Sequence, residues 1–134
     1  KSSLEMFKDN LILGVGPNNF RKECILENYN LSYYSCNTHP HNTPLQLLAE
    51  TGIIGFIFIY SIFCYFIYKL FYLGRLNFNL KLFGIYSIIC SIIINLWPLI
   101  PSGNFFLSWY GIIYYLPIGL YLAYYPILNN EIKK

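Results

Sequence analysis

Between Lys81 and Glu131 the sequence has no charged side chain. No soluble domain of this size tolerates such a gap. Roughly 25% of the residues in soluble domains are charged, against 11% over this whole chain. The medium that suits it is a bilayer, and the first question is where the chain crosses.

Three stretches read as crossings. Thr51 to Tyr68 is free of charge and ends at Lys69. A second stretch runs to 98-PLIPSGNF-105, where two prolines and a glycine break it. A third follows, with Pro117 and Gly119 as kink points. A crossing needs about 20 residues of helix. The expectation is an all-α chain, a polytopic membrane helical bundle fragment with transmembrane helices at about 51–71, 82–99 and 106–127. Residues 43–134 form this membrane part and residues 1–42 an extracytoplasmic loop segment with a short helix. Trp97 and Trp109 beside the 98–105 turn, and Tyr124 and Tyr125 at the far end, suit membrane interfaces. Asn95 suits an interhelical hydrogen bond.

Basic residues set the orientation. Lys69, Arg75 and Lys81 bracket the loop between spans one and two, and Lys133 and Lys134 end the sequence. Three spans put both groups on one side, which the positive-inside rule makes cytoplasmic. Residues 72–81 and the C-terminus then face the cytoplasm, and residues 1–42 and 98–105 the opposite side. The sequence begins at Lys1 with no readable signal peptide, and the expectation is the C-terminal piece of a longer multi-spanning protein.

In residues 1–42 the charges balance to zero and form no basic cluster, so no nucleic-acid partner is expected. Ser2 to Asn10 suits a short amphipathic helix with Leu4, Phe7 and Leu11 on one side. The stretch 14-GVGPNNF-20, with Gly14 and Gly16, is turn-rich and lacks the ending of a nucleotide-binding P-loop. Cys64 and Cys90, in apolar segments, read as packing residues. An extracytoplasmic location permits a disulfide between Cys24 and Cys36.

The chemistry gathers in 38-THPHNTPLQLLAETGIIG-55. Thr43 reads as a helix N-cap, Pro44 suits the first helical position, and Gln46 completes a T-x-x-Q capping box. Capping accounts for Asn42, Thr43 and Pro44 without further function. His39 and His41 offer proton transfer near neutral pH. The helix N-terminus favours an anion, to which Arg21 and Lys22 add charge-assisted contacts. Gln46 and Glu50, one turn apart, form a polar stripe toward the lipid, and a carboxylate so placed needs a partner or a wet cavity. H-x-H supplies two metal ligands at most, so no metal is assigned. Gly52 and Gly55 suit close approach of another helix.

His41-Asn42, nine residues and then 52-GIIG-55 resembles the signature of the O-antigen ligase and polymerase superfamily, often set in an HxHN-x-x-L-Q-x-x-x-E-x-G pattern. The lead-in 4-LEMFKDNLILGVGPNNF-20 and the distal 98-PLIPSGNFFLSWYGIIYYLPIGL-120 are similar to its C-terminal region. The resemblance implies a multi-pass, metal-independent and cofactor-free glycosyltransferase of the bacterial inner membrane. Such enzymes move a glycan from an undecaprenyl-diphosphate-linked donor to an acceptor hydroxyl on the periplasmic face. The acceptor is lipid A-core in a ligase or a growing glycan in a polymerase. The motif histidine maps onto His41 as general base, with Arg21 toward the diphosphate. Lys22, His39, Asn42, Gln46 and Glu50 are supporting or substrate-binding residues. A transporter or transport accessory of the same superfamily is the alternative, and a structural membrane subunit a third. The spans hold no ionisable residue for a transport path apart from Glu50 at the margin, and this fragment alone is expected to be inactive.

Overall fold

The computed structural model describes residues 1–26, 29, 30, 36, 39–75, 80–99 and 101–132. Among these the secondary structure is helical throughout: α1 (Ser2–Asp9), α2 (Phe20–Leu26), α3 (Thr43–Leu73), α4 (Leu80–Asn95) and α5 (Ser108–Ile132). The chain divides into one unit of Lys1–Tyr60 with Pro98–Gly111, and another of Ser61–Trp97 with Ile112–Lys134.

The first unit has a small core of Met6, Phe20, Cys24, Tyr29 and Ala49, with Val15 and Cys36 packed against it. The α1 face turned inward is Ser2, Ser3 and Met6. The expected short helix is present, and Leu4 and Leu11 of its apolar side are 43% and 53% exposed, so that side is not the one turned inward. A helix of two turns has too few positions for periodicity to define a face. Its exposed Lys8–Glu5 pair (2.8 Å) adds a few tenths of a kcal/mol at most, roughly the value of such surface pairs. The Tyr29 hydroxyl donates to Asp9 (2.8 Å), and Cys24 and Cys36 form a disulfide with Cα atoms 5.4 Å apart. That compartment-dependent pairing is thus present.

Helix α3 contains one break. Gly52 has φ 63° and ψ −163°, while residues on either side are helical. Residues 43–51 form a short leading helix, and residues 53–73 a helical run of about 31 Å at 1.5 Å per residue. That run matches the roughly 30 Å hydrocarbon thickness. Its apolar side chains Ile53, Ile54, Ile57 and Phe58 are exposed, as lipid contact requires.

In the second unit α4 buries Leu82, Ile85, Ile89 and Ile92, a stripe at spacings of three and four. The Tyr65 and Tyr121 hydroxyls are 3.2 Å apart, and Phe66 meets the Tyr121 ring edge-on with centroids 4.9 Å apart. Asn95 Nδ2 donates to the Ile113 carbonyl (3.0 Å), the interhelical bond expected of it. Cys90 is half-buried, but Cys64 is exposed and is not the packing residue expected.

Three crossings were expected, and among the described residues one helix, α3, is long and apolar enough to cross a membrane. Helix α4 has 16 residues, about 24 Å, because the chain turns at Leu96 instead of continuing toward residue 99. Helix α5 has 25 residues, a length sufficient for a crossing, with Pro117 and Pro126 inside it. Among the described residues the secondary structure is all-helical, with one membrane-span candidate.

Candidate functional site

Asn42 starts α3. Its Oδ1 accepts the Leu45 N–H (3.1 Å), and its carbonyl accepts the first intrahelical bond from Gln46 N (3.0 Å). Asn42 is therefore the N-cap, one residue before the Thr43 of the sequence reading, and the arrangement is worth about 1 kcal/mol. Thr43 is buried at 1% exposure, and among the described residues its hydroxyl has no hydrogen-bond partner. Pro44 lies in the first turn, where a missing N–H costs nothing. Asn42 Nδ2 also donates to the Pro98 carbonyl (2.9 Å), and Ser102 N donates to the His41 carbonyl (3.3 Å). These two bonds fasten the 98–105 loop to the helix mouth.

His39 and His41 meet ring to ring, centroids 4.4 Å apart and planes at 63°. His41 is exposed and His39 half-buried. Burial lowers the His39 pKa from its ordinary value, the His41 charge lowers it further, and a hydrogen bond to the Ser102 backbone opposes both. The pair combines one accessible imidazole with a neighbour biased toward the neutral form.

Gln46 and Glu50 point into protein rather than along the lipid, at 0% and 1% exposure. Glu50 Oε1 accepts Phe20 N (2.9 Å) at the start of α2, and Oε2 accepts Gln46 Nε2 (2.9 Å). The Asn18 backbone also bonds to this carboxylate. Gln46 Nε2 donates to Asn104 Oδ1 (2.6 Å), and Gln46 Oε1 accepts Phe105 N (3.0 Å). Asn104 Oδ1 accepts Phe106 N (3.0 Å), and its Nδ2 donates to Asn18 Oδ1 (3.1 Å). Three segments far apart in sequence, 18–20, 46–50 and 104–106, thus share one buried polar network. Glu50 lies in the leading helix, outside residues 53–73. Desolvation raises its pKa, and the Phe20, Gln46 and Asn18 bonds pull it back.

The glycine motifs interlock with this network. Across the Gly52 break the last carbonyls of the leading helix lose their helical partners. Val15 N and Gly16 N replace them, donating to Ala49 O (3.0 Å) and Glu50 O (2.9 Å), while Ile53 N donates to Leu11 O (2.9 Å). The backbones lie so close that a Cβ on Gly14 would stand 2.5 Å from Glu50 C, and one on Gly52 2.7 Å from Leu13 N. Gly52 therefore admits a loop of the same unit rather than another helix. Gly55 faces the Thr51 side chain of its own helix.

Arg21 and Lys22 are exposed on α2. Among the described residues neither forms an ion pair, and no hydrogen bond joins either to the histidine pair. Asn104 and Ser102 are the residues that sequence reading missed. Their only signal was a polar S-G-N inside an otherwise apolar half of the chain. Among the described residues no group of three His, Cys, Asp or Glu could hold a metal ion.

Residues 1–60 match the family model described as O-antigen ligase (Wzy_C). No curated protein and no solved structure matches the chain. The matched segment is 60 of 134 residues and holds the glycine loop, both histidines, the Asn42 cap, Gln46, Glu50 and the Gly52 break. The likeness to the O-antigen ligase family rests on these sixty residues.

Proposed function

We propose that the chain supplies the acceptor-activating side of a membrane glycan ligase or polymerase. The observation that carries this reading is the exposed His41 beside His39, at a capped helix start inside the family-matched segment. The family match supports a ligase or polymerase type of activity, and the donor, acceptor and base are assigned on chemistry.

In the proposed reaction a saccharide moves from an undecaprenyl-diphosphate carrier to an acceptor hydroxyl on the periplasmic face. His41 removes the hydroxyl proton as the oxygen bonds to the anomeric carbon. The bond from that carbon to the diphosphate oxygen breaks, and its electron pair leaves with the diphosphate. A second positive charge 4.4 Å away would oppose protonation of His41, so a neutral His39 favours the step. A diphosphate leaves without protonation where cations and helix N–H groups stabilise it, a role proposed for Arg21, Lys22 and the first turn of α3. No metal or cofactor takes part. Asn42 fixes the helix mouth, while Gln46 and Glu50 act on the sugar site through the segments they hold. The spanning helix then lies in the bacterial inner membrane with residues 1–42 in the periplasm.

Expression of His41→Ala in a strain lacking the native protein tests this. Loss of capped or polymerised glycan, with the variant still in the membrane fraction, is the expected result. A normal glycan profile would sink the reading.

A further inference from the structure

The geometry points to a phosphodiester-binding site for an anionic membrane lipid at Lys69, in the second unit and separate from the histidine pair. Lys69 Nζ lies 5.7 Å from the Tyr65 ring centroid, 5.7 Å from Tyr72 and 5.3 Å from Tyr125. All three are within the range at which a ring face attracts a cation. Tyr65 and Tyr72 stand four residues before and three after Lys69, on one face of α3, and Tyr125 comes from α5. The Tyr65–Tyr121 hydroxyl contact (3.2 Å) fixes one wall of this cage.

Ring faces offset the charge but accept no ordinary hydrogen bond, so the three ammonium N–H donors still call for an anion. Among the described residues no carboxylate pairs with it. From Thr51 to Asn130 the sequence contains no aspartate or glutamate. The nearest charge along the sequence is another cation, the exposed Arg75 just past the helix end. Depth supplies the partner. Lys69 is sixteen residues after Ile53, about 24 Å along the helix, and one turn before its end at Leu73. That places the Lys69 backbone about one turn inside the edge of a hydrocarbon core of about 30 Å, from which its long side chain reaches the lipid phosphates. The tyrosines hold the ammonium at this level, where a lone lysine would sweep a wide arc.

Native mass spectrometry of the full-length protein, titrated with phosphatidylglycerol and with phosphatidylcholine, tests the site. The wild type is expected to prefer phosphatidylglycerol, and Lys69→Gln to lose about fivefold of that preference, the effect of one interfacial cation. Tyr125→Phe keeps the ring face and the preference, whereas Tyr125→Leu lowers it. Inorganic phosphate in excess leaves the lipid bound. An unchanged preference in Lys69→Gln overturns the proposal, as does displacement by inorganic phosphate. Should Lys69→Gln fail to insert, an unchanged preference in Tyr125→Leu is equally decisive against it.

Discussion

Glu50→Leu removes the acceptor on which three donors converge. Gln46 Nε2 keeps its bond to Asn104, so the loss falls on the backbone N–H groups of Phe20 and Asn18. Each buried donor left alone costs about 1–3 kcal/mol, together about 2–6 kcal/mol. Relief of the carboxylate's desolvation offsets part of this. Replacing a buried polar pair by apolar residues can be neutral when both partners go, but a backbone N–H cannot be mutated away. The expected net loss is about 2–4 kcal/mol. Membrane proteins seldom unfold in two states, so the readout is the folded fraction remaining after heating in detergent, measured by size exclusion. The expected order is wild type, Glu50→Gln, then Glu50→Leu, because a glutamine keeps one carbonyl oxygen but turns an N–H₂ toward a donor. A Glu50→Leu protein as heat-resistant as wild type would show that desolvation outweighs the bonds, and the network would not be what holds the helix mouth together.

Other expectations rest on single features. Gly52→Ala forces φ 63° on a residue with a Cβ and pushes that Cβ into the 12–13 backbone, so a loss above about 2 kcal/mol is expected in the same heating assay. Gly55→Ala, which meets only a side chain, should cost less, and equal losses would contradict the interlock. Reduction of Cys24–Cys36, or Cys36→Ser, should cost about 3 kcal/mol for a loop of this length, with unchanged heat resistance as the contrary result. For pH, the sign follows from the two shifts. The His39 contribution, with its pKa lowered, is complete above 6.5 and is lost as pH falls through the folded value. The Glu50 contribution, with its pKa raised, is complete below 4.5 and is lost as pH rises through the folded value. Between these limits the two oppose each other, so His39→Phe should lessen acid destabilisation and Glu50→Gln should steepen it. The reverse pattern in pH-dependent heating curves would contradict both assignments.

The start of α3 was legible to within one residue, because capping chemistry is local. Asn42 and Thr43 are both competent caps, and only the backbone around the Pro98 contact decides for Asn42. The i, i+4 relation of Gln46 and Glu50 was legible too, but not its direction. What covers that face is Asn104 and Phe105, more than fifty residues later, and periodicity carries no information at that separation. The two glycine motifs were visible as motifs. Their common cause, a backbone contact between residues 11–16 and 49–53, is again long-range and left no local trace. The short α1 shows the opposite limit: its apolar residues were legible, but the face turned inward is Ser2, Ser3 and Met6, set by packing against residues distant in sequence.

The most direct test is a transfer assay on the purified full-length protein in lipid, with an undecaprenyl-diphosphate-linked donor, a hydroxyl acceptor and a chelator present. Wild type should release undecaprenyl diphosphate as product forms, while His41→Ala forms less than about a hundredth as much product, the scale of a lost general base. His39→Ala should retain part of the activity and Lys69→Gln all of it. Full transfer by His41→Ala would contradict the account at its centre.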